Sequence, residues 1–167
     1  MSKRFPFPNP VNETSARLVA AGAVLLGVAY VASGNVIVLA ALTYGFLARV
    51  TTGPTFSPLG LLATRVLTPR IRTEHKFVPG PPKRFAQAIG LTFGVVALVL
   101  VAADQPTASR IVIAGLVGAA FLESAFAFCL GCVMFGWLMR LGVIPQHICE
   151  ECNDISARLR SQAGRTA

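Results

Sequence analysis

Residues 16–50 read ARLVAAGAVLLGVAYVASGNVIVLAALTYGFLARV, two apolar runs, 16–32 and 36–50, separated only by Ser33-Gly34-Asn35. Runs of this kind suit a lipid core, which takes about 20 mostly apolar residues per helical crossing. Their apolar positions are continuous rather than alternating, which excludes membrane-spanning strands. A Ser-Gly-Asn connection leaves room only for a turn, so the two helices must lie side by side and antiparallel. Ala20, Ala21, Gly22, Ala23 and Gly27 give the first of them a small-residue surface on which another helix backbone can approach closely.

Outward from this hairpin the pattern repeats, with apolar stretches at 85–103 and from Ser109 to about Leu141. The chain of 167 residues is 54% hydrophobic and only 13% charged, too apolar for a soluble domain of its size. The expected fold is an all-α membrane protein with four transmembrane helices in two antiparallel hairpins. A short interfacial helix is expected in the long loop and a helix in the C-terminal tail. Residues 1–142 form the four-helix membrane domain in this reading, and residues 143–167 a cytoplasmic tail. Phe5, Pro6, Phe7, Pro8 and Pro10 make the start unlike a cleaved signal peptide, so the first apolar run is expected to be retained as a helix. Asn12 or Thr14 can cap it.

The formal net charge is +8, yet the basic residues sort by position between the apolar runs. Lys3, Arg4 and Arg17 precede or open the first run. Arg49, Arg65, Arg70, Arg72, Lys76, Lys83 and Arg84 lie between the second and third, and Arg140, Arg158, Arg160 and Arg165 follow the fourth. The connections Ser33-Gly34-Asn35 and Asp104-Gln105-Pro106-Thr107 have none, and Arg110 alone stands just inside the fourth run. The positive-inside rule then puts both short turns outside and both termini in the cytoplasm of a multi-pass cell-membrane protein. The basic surplus reads as a topology signal and a contact with anionic lipid head groups, not as a nucleic-acid site.

In the long loop, Gly53-Pro54 and Ser57-Pro58 stop the second helix. Leu59, Leu62 and Val66 then fall at helical spacing, as in a short helix lying along the interface or packed on the bundle. Pro79-Gly80-Pro81-Pro82 reads as a stiff extended strap into the third helix. The last apolar segment, Ser109 to Met139, would be about 46 Å long as one straight helix, against a lipid core of about 30 Å. It must tilt, bend or protrude, with Gly131 and Gly136 as the places where a bend is tolerated. Trp137 and Arg140 resemble an interface anchor.

The chemistry-bearing residues cluster late in the chain. All 4 cysteines fall in two C-x-x-C motifs, Cys129-Leu130-Gly131-Cys132 and Cys149-Glu150-Glu151-Cys152. On a continuous helix each spacing puts both sulfurs near one face, about 60° apart, so that a bridge needs local distortion. Such a pair suits reversible thiol–disulfide exchange, or half of a four-thiolate metal site. The metal alternative would join Cys129, Cys132, Cys149 and Cys152, with His147 as a spare ligand, but it demands a charged cluster at the membrane. No metal or cofactor is therefore expected. A cytoplasmic static disulfide is disfavoured too, because thiols there are kept reduced. Packing alone is the bland account of the buried pair. Glu123 is the single acid expected within a crossing segment and calls for a partner, Arg17 or Arg49. Around a straight helix it would stand about 120° from Cys129 and 180° from Cys132, a poor base for either.

Several strings occur together in order: Asn12-Glu13 with Arg17, Gly45-Phe46-Leu47-Ala48-Arg49, Phe56-Ser57-Pro58-Leu59, Pro82-Lys83-Arg84-Phe85-Ala86 with Ile89-Gly90, and Glu123 with Phe128-Cys129-Leu130-Gly131-Cys132. From about Asn12 to Leu138 the chain resembles a bacterial integral-membrane family, the domain of unknown function DUF4395. The resemblance carries no activity of its own. It implies thiol or sulfur chemistry insofar as similar proteins are encoded beside thioredoxin-like and sulfurtransferase proteins, and it does not extend to Cys149 and Cys152.

The expected function is thiol redox or sulfur relay through the C-x-x-C pairs with a cytoplasmic thioredoxin-like or rhodanese-like partner. Two alternatives are a transporter subunit for a small sulfur-containing solute, which at this size must form a homo-oligomer, and an assembly factor of a larger membrane complex.

Overall fold

In the computed structural model, residues 9–71, 76–145 and 148 are described. Four helices are long and apolar enough to cross a membrane: α1 (Glu13–Ser33), α2 (Val36–Thr52, continued by a 3-10 turn to Thr55), α4 (Gly80–Ala102) and α5 (Pro106–Phe126). Between α2 and α4 lies the short α3 (Pro58–Leu61), and α6 (Leu130–Arg140) follows α5. The chain is thus an all-α membrane protein of two antiparallel hairpins. Large apolar side chains face outward along the spans, among them Leu25, Ile37, Val99 and Ile111, each more than 60% exposed. Such surface suits a lipid environment.

Each boundary has a local cause. Asn12 caps α1, its Oδ1 accepting from the amides of Thr14 at 2.9 Å and Ser15 at 3.4 Å. Gly34, at φ 68°, turns the chain into α2, where Asn35 caps through the Ile37 amide. Gly80, Pro81 and Pro82 form the first turn of α4 rather than an extended strap, since proline at a helix start has no amide to lose. A two-residue antiparallel ladder, absent from the sequence reading, pairs β1 (Val11–Asn12) with β2 (Phe77–Val78). It ties the approach to α1 to the approach to α4.

The hairpins interleave. α1 packs most extensively on α5, and α2 on α4, while α1 touches its own turn partner less. The small face of α1 therefore serves α5: a Cβ on Gly27 would strike Val117. On α4, a Cβ at Gly90 would strike the Phe46 ring, and one at Gly94 would stand 2.6 Å from Thr43 Oγ1. Tyr30, Leu39, Leu42, Ala97 and Ile113 fill the centre. At the end holding the two short turns, the buried Tyr30 hydroxyl meets Ser109 Oγ at 2.6 Å, and Ser109 donates to the Ala97 carbonyl at 2.9 Å, linking α1, α5 and α4.

The long loop is helical from Pro58 to Arg70, as α3, a π-helical turn and a 3-10 turn. Gly60, Ala63 and Thr68 are buried, with Thr68 Oγ1 2.8 Å from Ser15 Oγ of α1, and Leu59 lies against Gly22. Leu62 and Val66 face away from the bundle. The segment therefore packs on the bundle with one face and keeps an apolar edge exposed.

The segment expected as one long helix is broken, and at neither expected glycine. α5 ends at Phe126, Ala127 takes a left-handed φ of 57°, and α6 starts at Leu130. Gly131 has a different use, since a Cβ there would lie 2.6 Å from that of Ala86; it lets α6 rest on α4. Gly136 faces open space, and Trp137 and Arg140 point outward. The helix expected in the tail lies outside the described residues.

Gly94→Leu should force α2 from α4 and cost about 1–3 kcal/mol, whereas Gly118→Ala, with nothing within 4 Å of the added atom, should be neutral or stabilising. Thermal unfolding of both variants in detergent checks this: equal midpoints would refute the close α2–α4 contact.

Candidate functional site

At the end of the bundle opposite the short turns, four polar features converge. The first is the break itself. The left-handed Ala127 lets its own amide reach the Glu123 carbonyl at 3.0 Å and lets Phe128 reach Leu122 at 3.2 Å. Arg17 of α1 donates from Nε to the Ser124 carbonyl and from Nη2 to the Ala125 carbonyl, each at 2.9 Å. The exposed carbonyls of the last turn of α5 are thereby satisfied.

The second feature follows from the break. Cys129 is not inside a helix but is the N-cap of α6, in extended conformation at φ −93° and ψ 101°. Its Sγ accepts the Cys132 amide at 3.3 Å, and the Cys132 thiol lies 2.6 Å from it. The straight-helix geometry expected from sequence, two sulfurs 60° apart, is thus replaced by a cap geometry. An extended first cysteine swings its sulfur over the helix start and towards the second. Both are free thiols, Cys129 buried and Cys132 half-buried.

The third feature is an ion pair. Glu123, in the last turn of α5, accepts from Lys83 Nζ in the first turn of α4 at 2.6 Å, with the side chains 12% and 8% exposed. The partner is therefore neither Arg17 nor Arg49. Lys83 stands inside the Pro82-Lys83-Arg84-Phe85-Ala86 string, but its charge was read as topology. What could have revealed it is its place three residues into a helix, still within the apolar bundle.

Arg49 is the fourth. It is 5% exposed, donates from Nε to Gln87 Oε1 at 2.7 Å and from Nη1 to Ser57 Oγ at 3.1 Å, and stands 4.6 Å over the Phe46 ring. Its Nη2 has no hydrogen-bond partner among the described residues.

Two cavities meet at Cys129. One of about 340 Å³ is lined by Glu13, Lys83, Cys129, Cys132 and Phe135. The other, about 310 Å³, reaches into the bundle past Arg49, Glu123, Phe93, Leu116 and Ala119. Cys129, outside the four spanning helices, forms part of the partition between them, while Cys132 lines only the first.

The arrangement divides the two thiols. The Cys132 S–H donated to it holds the Cys129 pKa below the ordinary thiol range, Lys83 acting in the same direction against burial and Glu123. Cys132, as the donor and partly desolvated, is pushed up. Cys129 is accordingly the thiol that ionises first and Cys132 the one that keeps its proton.

Among the described residues no group of three or more His, Cys, Asp and Glu gathers as a metal site would require. The four-thiolate alternative also needs Cys149 and Cys152, which with His147 lie outside the described residues.

Fold and site together define a four-span membrane protein with a capped C-x-x-C pair beside a buried Lys–Glu ion pair. Residues 11–140 match the family model for the domain of unknown function DUF4395, and the chain belongs to that family. No curated protein and no solved structure matches the chain.

Alkylation by iodoacetamide, followed by peptide mass spectrometry across pH, tests the division of the thiols. Cys129 should react with a midpoint below the ordinary value of about 8.5, its rate falling as pH drops through that midpoint, and Cys132 should react only at higher pH. Cys132→Ala should move the Cys129 midpoint upward; an unchanged midpoint would refute the hydrogen bond as its cause.

Proposed function

We propose that this is a plasma-membrane thiol protein whose Cys129–Cys132 pair exchanges electrons with a thioredoxin-like or rhodanese-like partner in the cytoplasm. The observation that carries the proposal is Cys129 at the cap of α6, with both the amide and the thiol of Cys132 directed at its sulfur. That is the geometry thiol–disulfide exchange needs: an ionisable attacking sulfur and a resolving sulfur already in reach.

In the exchange, the Cys129 thiolate attacks a sulfur of the partner's disulfide. A mixed disulfide forms, and the partner's other sulfur leaves with the electron pair. Cys132 then loses its proton and attacks Cys129 Sγ, expelling the second partner sulfur as a thiolate. The partner is reduced to a dithiol and the Cys129–Cys132 pair is oxidised; the reverse sequence uses the same bonds. With a rhodanese-like partner, Cys129 accepts a sulfane sulfur as a persulfide, and Cys132 closes the disulfide and releases it as hydrosulfide. Lys83 favours the thiolate in each attack, and the 340 Å³ cavity, shared by Lys83 and both cysteines, is the route by which a partner's sulfur would enter.

The charges support this placement of the site. Lys and Arg crowd the end that carries the sulfur pair, which the positive-inside rule assigns to the cytoplasm together with both termini and the loop from Thr51 to Pro82. Cysteine introduced at Ser33 or Gln105, in a background without native cysteines, should react with membrane-impermeant maleimide from outside intact cells. External labelling of a cysteine placed in the basic loop would overturn the orientation.

In membranes treated with mild oxidant, mass spectrometry should find Cys129 and Cys132 joined as a disulfide that thioredoxin reverses. Two free thiols throughout, with full retention of the cellular phenotype in the Cys129→Ala/Cys132→Ala variant, would end the redox proposal.

A further inference from the structure

The 310 Å³ cavity inside the bundle contributes nothing to exchange with a cytoplasmic partner, yet Cys129 forms part of its wall. Its volume is in the range of small-molecule sites. Most of its wall is apolar, from Val19, Ala20 and Ala23 of α1 to Phe93 of α4 and Leu116 of α5. The polar residues Arg49, Gln87 and Glu123 lie at the basic ends of their helices, so the cavity is polar at one end and apolar towards the middle of the membrane.

Arg49 supplies the second clue. Two of its nitrogens are bonded and its Cζ lies over the Phe46 ring, while Nη2 is buried with no acceptor among the described residues. A buried donor without a partner is costly, and because Arg49 belongs to the cavity wall a small turn of the guanidinium would bring Nη2 to an acceptor bound there. Glu123 in the same wall is already paired with Lys83, and most of the remaining wall is apolar, which makes a second charged group costly to bury. The acceptor that fits is an uncharged oxygen on an apolar ligand small enough for the space. Beside it stands a sulfur pair that can give up two electrons.

We propose that this cavity binds a membrane quinone, with one carbonyl oxygen accepting from Arg49 and the tail directed along the apolar walls, and that the Cys129–Cys132 dithiol reduces it. The inference rests on the thiol redox reading and gives it a second substrate. The two thiols become one S–S bond, releasing two electrons and two protons. The quinone takes both, and its two carbonyls become the hydroxyls of a hydroquinone. The cytoplasmic partner's dithiol then reduces the Cys129–Cys132 disulfide and becomes a disulfide itself. Net flow runs from a thiol in the cytoplasm to a quinone in the lipid, through a sulfur pair whose Cys129 borders both cavities.

The test uses the full chain in detergent micelles and a short-tailed benzoquinone whose ring positions are all substituted, so that thiols cannot add to it. Pre-reduced protein should convert one quinone per chain, read by absorbance, and acquire the Cys129–Cys132 disulfide, read by mass spectrometry. The Cys129→Ser/Cys132→Ser variant should bind the quinone without reducing it. Arg49→Met should weaken that binding about tenfold or more, as expected for loss of a hydrogen bond from a charged donor. Ala119→Phe, which fills the cavity from α5 one turn nearer the membrane middle than Glu123, with its ring leaning towards the helix start, should abolish quinone reduction and leave exchange with thioredoxin intact. It guards against a misfolded Arg49 variant.

The inference is overturned if the double-serine variant binds no quinone, or if Ala119→Phe reduces quinone at the wild-type rate. A pair that cycles with thioredoxin but leaves the quinone unreduced overturns the inference alone. A pair that no oxidant can join overturns the thiol redox reading and, with it, the electron step.

Discussion

A carboxylate among membrane helices must find a cation or stay protonated, and the Lys83–Glu123 pair answers that requirement here. It joins the first turn of α4 to the last turn of α5, two helices whose connecting turn is at the other end of the bundle. The ion pair thus closes the second hairpin at its open end, while the Tyr30–Ser109–Ala97 relay closes the bundle at the turn end. Removing one partner would leave a buried charge alone, which costs about 3–5 kcal/mol. The basic end is arranged beside this pair: the break in the chain comes four residues after Glu123, and Cys129 caps the helix that resumes beyond it.

The spans, their pairing into hairpins and the Asn12 cap were legible in the sequence, because each depends on a local property: run length, turn length or one side chain. The break at Ala127 was not. It is made by an alanine in left-handed conformation, a residue type with no preference for it, and it is held by Arg17, far away in sequence on α1. Length alone signalled that something must give, since a helix continued from Pro106 to Arg140 would outrun the lipid core. The two glycines nearby were plausible hinges, but Gly131 is required for contact with Ala86. The interleaving of the hairpins was equally hidden, because small residues on α1 show that some helix approaches closely without saying which.

At the site, Cys129, Cys132, Glu123 and Arg49 were each visible as types out of place in apolar surroundings. Their geometry was not, since angles around a straight helix apply only while the helix lasts. With the break, Cys129 moves from a helical face to a cap, and the sulfur pair changes from strained to facing. Lys83 was hidden by its company: among Arg65, Arg70, Arg72, Lys76 and Arg84 a lysine reads as one more inner-face charge. Only the depth of α4 in the bundle separates it from its exposed neighbour Arg84.

The charges explain why these residues belong together. Arg49 and Lys83 are two buried cations, and Glu123 is in direct ion-pair contact with only one of them. Arg49 is bonded to the neutral Gln87 and Ser57, which steady it without balancing it. In a setting of low dielectric an unbalanced cation favours any nearby group that can become an anion. Cys129 is such a group, bordering the cavity that Arg49 also lines and the one that Lys83 lines. Ionising it would balance the cluster, and a thiolate made in this way is the nucleophile that the proposed exchange requires. In the proposed transfer, an electron acceptor bound beside it would take that negative charge away with the electrons and restore the cation surplus. The cluster would then draw the next thiol proton off. Surplus charge, usually a liability inside a membrane protein, would in that scheme keep the sulfur reactive.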